Sequence, residues 1–186
     1  MRAIASITLI LLGFTPLISM SEPSKTQQIS TPSGAVETTC EPVEPFPQTV
    51  VHAPPGDIAQ IDKLALQANR LLSVYQPQAT AATLSEFDVA FLNWQRDAKA
   101  KFTEGQVINM LGAFLGNKLV KDFDMEWVVV TDMYGTDFAV RGKKVEVMSF
   151  PFSSVAKRIE SHQFDFMNGV YFAVKNAVEN ENVKAR

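Results

Sequence analysis

The sequence predicts an α+β domain in which helices precede and follow a three-stranded antiparallel β-meander. Three observations carry this reading. Apolar residues recur at three- and four-residue steps from Ile58 to Leu119, the period of a buried helix face. From Glu126 to Phe150 the period falls to two, in short β-branched and aromatic runs broken by glycine-bearing turns. Beyond Pro151 the helical period returns. Helices segregated from an antiparallel sheet cover its apolar face, which is the α+β solution.

The first helix carries Ile58, Ile61, Leu64, Ala65, Ala68, Leu71, Leu72 and Tyr75 on one face, with Pro55 and Gly56 before it and Pro77 after it. The second opens on Thr83-Leu84-Ser85-Glu86, a capping-box pattern, and continues through Phe87, Ala90, Phe91 and Trp94. The third opens on a similar pattern, Thr103-Glu104-Gly105-Gln106, and carries Val107, Met110, Leu111, Phe114, Leu115 and Leu119. Gly112 and Gly116 share one side of it. Glycine inside a helix costs about 1 kcal/mol relative to alanine, so two on one side point to a second backbone passing close by. Lys118, Lys121 and Asp122 follow at once, which excludes a membrane dimer motif.

Glu126–Thr131 reads as the first strand, Asp132–Asp137 as a turn in which Gly135 is free to take positive φ, and Phe138–Arg141 as the second strand. Gly142-Lys143-Lys144 turns again, and Val145–Phe150 is the third strand, ended by Pro151. Ser153 or Ser154 caps a short helix through Ile159, and Asp165 caps a longer one bearing Phe166, Val170, Ala173, Val174, Ala177 and Val178.

Around this domain the composition is uneven. Met1–Ser21 has one basic residue, Arg2, an apolar stretch from Ile7 to Leu17, and small residues Ser19 and Ser21, the pattern of a secretory signal peptide cut after Ser21. With that segment removed, no membrane span is expected, and the chain is expected to be periplasmic or secreted. Residues 22–56 hold seven of the ten prolines and a net charge of −3 (Lys25 against Glu22, Glu37, Glu41 and Glu44), which reads as a flexible Pro-rich linker. Residues 57–186, the α+β domain, carry 15 basic and 16 acidic side chains and are nearly neutral. The full chain, at −3, lacks the basic surplus of a nucleic-acid binder. The single cysteine, Cys40, allows no internal disulfide and reads as a free linker thiol.

Catalytic patterns are missing from the sequence. His52 and His162 have no second ligand at metal spacing, and there is no nucleophile elbow, phosphate loop or dinucleotide fingerprint. No cofactor or metal is expected. Asp132 and Asp137 flank the first hairpin turn, where aspartate ordinarily bonds its own backbone. Of the adjacent cations Lys157 and Arg158, one points inward and one to solvent, and a pair between Arg158 and Asp132 or Asp137 would tie helix to hairpin. Trp94 is expected at the rim of the core, and Trp127, which opens the first strand, within it. Tyr134 sits at a hairpin tip where nothing local requires an aromatic. The candidate partner surface is therefore Asp132, Tyr134, Gly135, Asp137, Lys157 and Arg158.

The stretch Trp127–Asp137, then Phe150-Pro151 and Ser154–Glu160, together with Leu111-Gly112-Ala113-Phe114-Leu115-Gly116, resembles a bacterial family, domain of unknown function 3806. The resemblance runs from about Phe87 to Val178. It rests on a tryptophan-led strand, a D-x-Y-G turn, a strand ending in F-P and a K-R-hydrophobic-E helix. Met133 stands where the resemblance implies an acidic residue. The family implies no assigned chemistry, and its layout is similar to small chaperone-like and toxin-immunity domains. The resulting expectation is an exported, non-enzymatic domain that binds another protein, in a toxin-immunity or chaperone-like role, with its oligomeric state open. The alternatives are a small-ligand protein or enzyme using Asp132, Asp137 and Arg158, and a structural component of the cell envelope.

Overall fold

The computed structural model describes residues 25–31, 34–40 and 48–184. The expected signal peptide, Met1–Ser21, lies outside them. The chain divides into a unit spanning Met1–Pro45 and a larger one spanning Phe46–Arg186. In the first, strands β1 (Lys25–Thr31) and β2 (Gly34–Cys40) pair antiparallel, Lys25 opposite Cys40 and Thr31 opposite Gly34. The β-branched residues Thr26, Ile29, Thr31, Val36, Thr38 and Thr39 favour strand there despite the polar composition that reads as linker.

The larger unit is α+β, as expected, but its antiparallel sheet has four strands rather than three, in the order β3-β4-β5-β6. The added strand, β3 (Thr49–His52), comes from the stretch read as linker. It pairs with β4 (Met125–Asp132), Thr49 opposite Thr131 and His52 opposite Val128. The Thr-Val-Val sequence lies between prolines, and proline density hid the β-branched run. Helix α1 (Pro55–Tyr75) then starts within the expected linker, because Pro55 at its first turn gives up no hydrogen bond.

Helix α2 (Leu84–Arg96) forms half of its expected capping box. Thr83 Oγ1 accepts from Glu86 N, but the Glu86 carboxylate accepts from Gln76 Nε2 instead (3.0 Å). Helix α3 (Glu104–Phe123) forms the whole box: Gln106 N donates to Thr103 Oγ1 at 3.3 Å, and Thr103 N to Gln106 Oε1 at 2.9 Å. Asp124, in the left-handed conformation (φ 51°), ends it.

Helix α3 is the centre of the core, with Val107, Leu111, Ala113, Leu115 and Leu119 fully buried. Its glycines explain themselves. A Cβ on Gly112 would stand 2.5 Å from Phe152 Cδ1 and 2.9 Å from Phe152 Cα, so a second backbone does pass close there. On Gly116 a Cβ would overlap the Trp127 ring, so that space is filled by an indole rather than by backbone. Trp127, buried as expected, donates its Nε1–H to Asn117 Oδ1 (2.9 Å), and Asn117 Nδ2 donates to Asp62 Oδ1 of α1 (2.8 Å).

Met125, Trp127 and Val129 face this helical core, whereas Val128 and Val130 pack with Ala139, Val50, Met148 and Phe150 in a second apolar cluster. Alternation along a strand puts the two sets on opposite faces, so Trp127–Val130 is apolar throughout because both faces are apolar. Strand β5 (Gly135–Gly142) pairs along all of β4, but β6 is only Met148–Ser149, shorter than the expected Val145–Phe150. Helix α4 (Pro151–Glu160) follows. Neither Ser153 nor Ser154 caps it: Phe150 is the capping residue and Pro151 opens the first turn.

The last helix, α5 (Met167–Lys184), is not capped by Asp165. The buried carboxylate of Asp88, on α2, takes that role, with Oδ1 accepting from Phe166 N (3.2 Å) and Met167 N (3.0 Å). Burial raises the Asp88 pKa above the ordinary carboxylate value; the backbone N–H groups of Met167, Phe166 and Asn168 oppose this, and the charge of Asp165 adds to it.

Gly116→Ala should lower unfolding stability by about 1–3 kcal/mol in urea denaturation, because the core indole has no room to move. Gly105→Ala, with open space at its Cβ, should raise stability by about 0.5 kcal/mol. For Asp88, a folded-state pKa above the unfolded one means the folded state holds its proton longer. Its contribution is therefore complete below the unfolded value and is lost as pH rises through the raised folded value. Wild type should lose stability relative to Asp88→Asn across that window, as followed by denaturation at stepped pH. A difference that is flat with pH would contradict the assignment.

Candidate functional site

The site is built on the β4–β5 hairpin. Asp132 pairs with Gly135, so the loop between the strands is only Met133 and Tyr134. So tight a reversal needs positive φ, and Gly135 supplies it at 129°. Asp132 Oδ1 accepts from Tyr134 N (2.8 Å), the expected bond of a turn aspartate to its own backbone. Thr131 and Thr136 join their hydroxyls across the strands at 2.9 Å. The tip is thus braced at three levels, and it holds Tyr134 in solvent, 90% exposed, beside Met133 at 61%.

Asp137 does not flank the turn. It lies within β5, opposite Val130. Its Oδ1 accepts from Phe138 N (2.7 Å) and its Oδ2 from Ser153 Oγ of α4 (2.5 Å). Helix α4 can reach it because β6 pairs only with Val140 and Arg141, which leaves the tip half of β5 without a further strand.

Ser153 and Lys157 are four residues apart, so they share one face of α4. Together with Asp132, Tyr134, Gly135 and Asp137 they line a groove of about 540 Å³ whose apolar wall includes Val130 and Phe150. Five of the six expected surface residues therefore converge. Arg158, the sixth, does not: it turns away around the helix, its carbonyl accepts from Gln163 N (3.1 Å), and its buried Nε has no partner among the described residues. The expected ion pair of Arg158 with Asp132 or Asp137 is not formed, and Lys157 is the cation beside the hairpin. The set Asp132, Asp137 and Arg158, on which a catalytic or small-ligand role would rest, is not assembled. Ser153 was missed in the sequence, although its four-residue offset from Lys157 placed it on the same helical face.

The two tryptophans are structural. Trp94 donates its Nε1–H to Phe102 O (2.9 Å), and Trp127 fills the Gly116 notch. His162 adopts positive φ (51°) where α4 ends, and His52 contacts Glu126 at 3.2 Å. Among the described residues no three His, Cys, Asp or Glu side chains come together as a metal site, and no helix is long and apolar enough to cross a membrane.

Residues 88–171 match the family model described as Domain of unknown function (DUF3806). This stretch resembles that family. The match runs from Asp88, which caps α5, to Tyr171 within it, and so takes in α3, the hairpin, α4 and the whole groove. The DUF3806-like stretch therefore contains both the seat of the core and the candidate surface. No curated protein and no solved structure matches the chain.

Removing the Asp137 carboxylate should loosen the hairpin from α4. Asp137→Ala strands a half-buried hydroxyl and a backbone N–H, and is expected to cost about 1–2 kcal/mol in urea denaturation. Lys157→Ala, which removes an exposed side chain with no ion pair among the described residues, should stay within about 0.5 kcal/mol of wild type.

Proposed function

We propose that this protein is an exported, non-enzymatic domain that binds another protein through the β4–β5 hairpin tip and the groove beside it. The observation that carries the reading is Tyr134, 90% exposed on a tip braced by Gly135, Asp132 and the Thr131–Thr136 bond. A large amphipathic ring held in water serves no purpose in the fold. Aromatic residues on rigid supports are what protein interfaces use as anchors. Met133 beside it adds a flexible apolar contact, and Lys157 with Asp132 gives the groove charges of both signs at its rim. Export is supported by Arg2, the apolar run Ile7–Leu17 and the small residues Ser19 and Ser21. Within this reading, a toxin-neutralising or chaperone-like role is the form to examine first.

The test compares proteins recovered from the source cells by wild type, Tyr134→Phe and Tyr134→Ala at equal folded concentration. An anchor residue costs about 2 kcal/mol or more on truncation, so a true partner should bind Tyr134→Ala roughly thirtyfold more weakly while Tyr134→Phe retains most of its binding. Recovery that does not distinguish the three proteins would sink the assignment.

A further inference from the structure

A second cavity, of about 290 Å³ and also bordered by Asp137, is lined from α1, α3, β5 and the start of α4. Its apolar walls are Ile61, Leu64, Phe138 and Phe152. Two carboxylates border it, Asp57 from the first turn of α1 and Asp137 from β5. The remaining lining side chains are amides, and no Lys, Arg or His lines it.

The chemistry of this lining selects one kind of occupant. Asp137 accepts from two neutral donors, Phe138 N and Ser153 Oγ, and with about four acceptor sites on a carboxylate has capacity left for a further donor. Asp57 has no ion-pair partner among the described residues. The rings of Phe138 and Phe152, with centroids 6.3 Å apart and planes tilted by 58°, both line the cavity, and an aromatic face attracts a cation that reaches it. An anion would meet two carboxylates, and a neutral apolar group would engage neither of them. A cation on an aliphatic stem satisfies both the walls and the rim. The volume is at the small end for ligand pockets, about 300 Å³ and upward, which suits one side chain better than a larger molecule. Asp137 also lines the hairpin groove, so the groove and this cavity share a residue.

We propose that this cavity receives a basic side chain, arginine or lysine, from the protein that docks on the hairpin. The inference rests on the protein-binding reading above and specifies the chemistry of the partner. Lys157 at the groove and the acidic cavity behind it then ask for a partner segment with an acidic and a basic residue in sequence.

The probe is butylguanidinium, an arginine side chain without its backbone, titrated into the purified full chain and followed by amide chemical shifts. Pentanamide and valerate are the neutral and anionic controls of similar size. Butylguanidinium should shift resonances of residues 57–64, 137–138 and 152 and saturate in the millimolar range, at least tenfold tighter than either control. Asp57→Asn should weaken it about threefold and the Asp57→Asn/Asp137→Asn pair at least tenfold. The single variant keeps the question answerable if the double variant disturbs the hairpin. Equal binding of the three probes, shifts elsewhere, or unchanged binding by Asp57→Asn and the double variant would overturn the proposal. Tyr134→Ala should leave butylguanidinium binding unchanged. Absent binding overturns the cavity assignment even if Tyr134 proves to be an anchor, and retained binding supports it even if Tyr134 does not, so the two readings fail separately.

Discussion

The structure depends on the absence of two side chains. Gly112 and Gly116 leave a notch along one side of α3, and two different elements use it. The backbone of α4 enters at Phe152 over Gly112, and the Trp127 indole of β4 lies over Gly116 with the Pro151 ring beside it. Two helix-interior glycines cost roughly 2 kcal/mol of helix propensity together. That cost is offset by burying an indole and by bringing sheet and helix closer to α3 than any Cβ would allow, since interior packing loses contact energy over gaps of less than an ångström. The Trp127–Asn117–Asp62 chain of hydrogen bonds then fixes the same contact to α1.

Both walls of the candidate surface grow from that notch. Trp127 stands near the base of β4, and the strand runs from there to the tip that carries Tyr134. Phe152 stands in the first turn of α4, with Ser153 next to it and Lys157 one turn on. Seating the two aromatics therefore sets the distance between hairpin and helix, and the Ser153–Asp137 bond closes the gap at the level of β5. The short β6 is part of the same arrangement. A β6 of full length would occupy the edge of β5 that α4 now borders, and the groove would be replaced by a ladder.

What was legible in the sequence was local. The Thr103 capping box, the stripes of α1, α2 and α3, the positive φ of Gly135 and the exposure of Tyr134 all depend on residues within about four positions of one another, where spacing dictates geometry. The glycine notch was legible as a need for close approach, though not as to who approaches. What escaped was non-local. The cap of α5 comes from Asp88, 78 and 79 residues from the amides it accepts, while Asp165 at the expected position had every local qualification. Strand β3 has a strong β-branched run, but only its register against Val128–Thr131 makes it part of the sheet. Arg158 and Lys157 could not be told apart until the phase of α4 was known, and that phase is set by Phe152 in the notch rather than by either cation.

The bracing of the hairpin bears directly on what Tyr134 would be worth to the proposed partner. Binding costs free energy for every rotor that becomes ordered, about 0.5–1.5 kcal/mol for a flexible interface side chain and more for a mobile loop. Here the loop has two residues, its entry is tied by Asp132 to the Tyr134 amide, and its exit is tied by the Thr131–Thr136 bond. The backbone of the tip has little left to lose. Tyrosine itself has two side-chain torsions, far fewer than a lysine or methionine of similar reach. Docking at this tip, as proposed, would order one ring, and the area buried would be converted to affinity with a smaller entropic deduction than a longer loop would suffer. The same constraint would make the proposed surface selective. A tip so braced would suit a partner already shaped to it, and the Asp137 carboxylate, held by Phe138 N and Ser153 Oγ, would add a charge for the proposed partner to match.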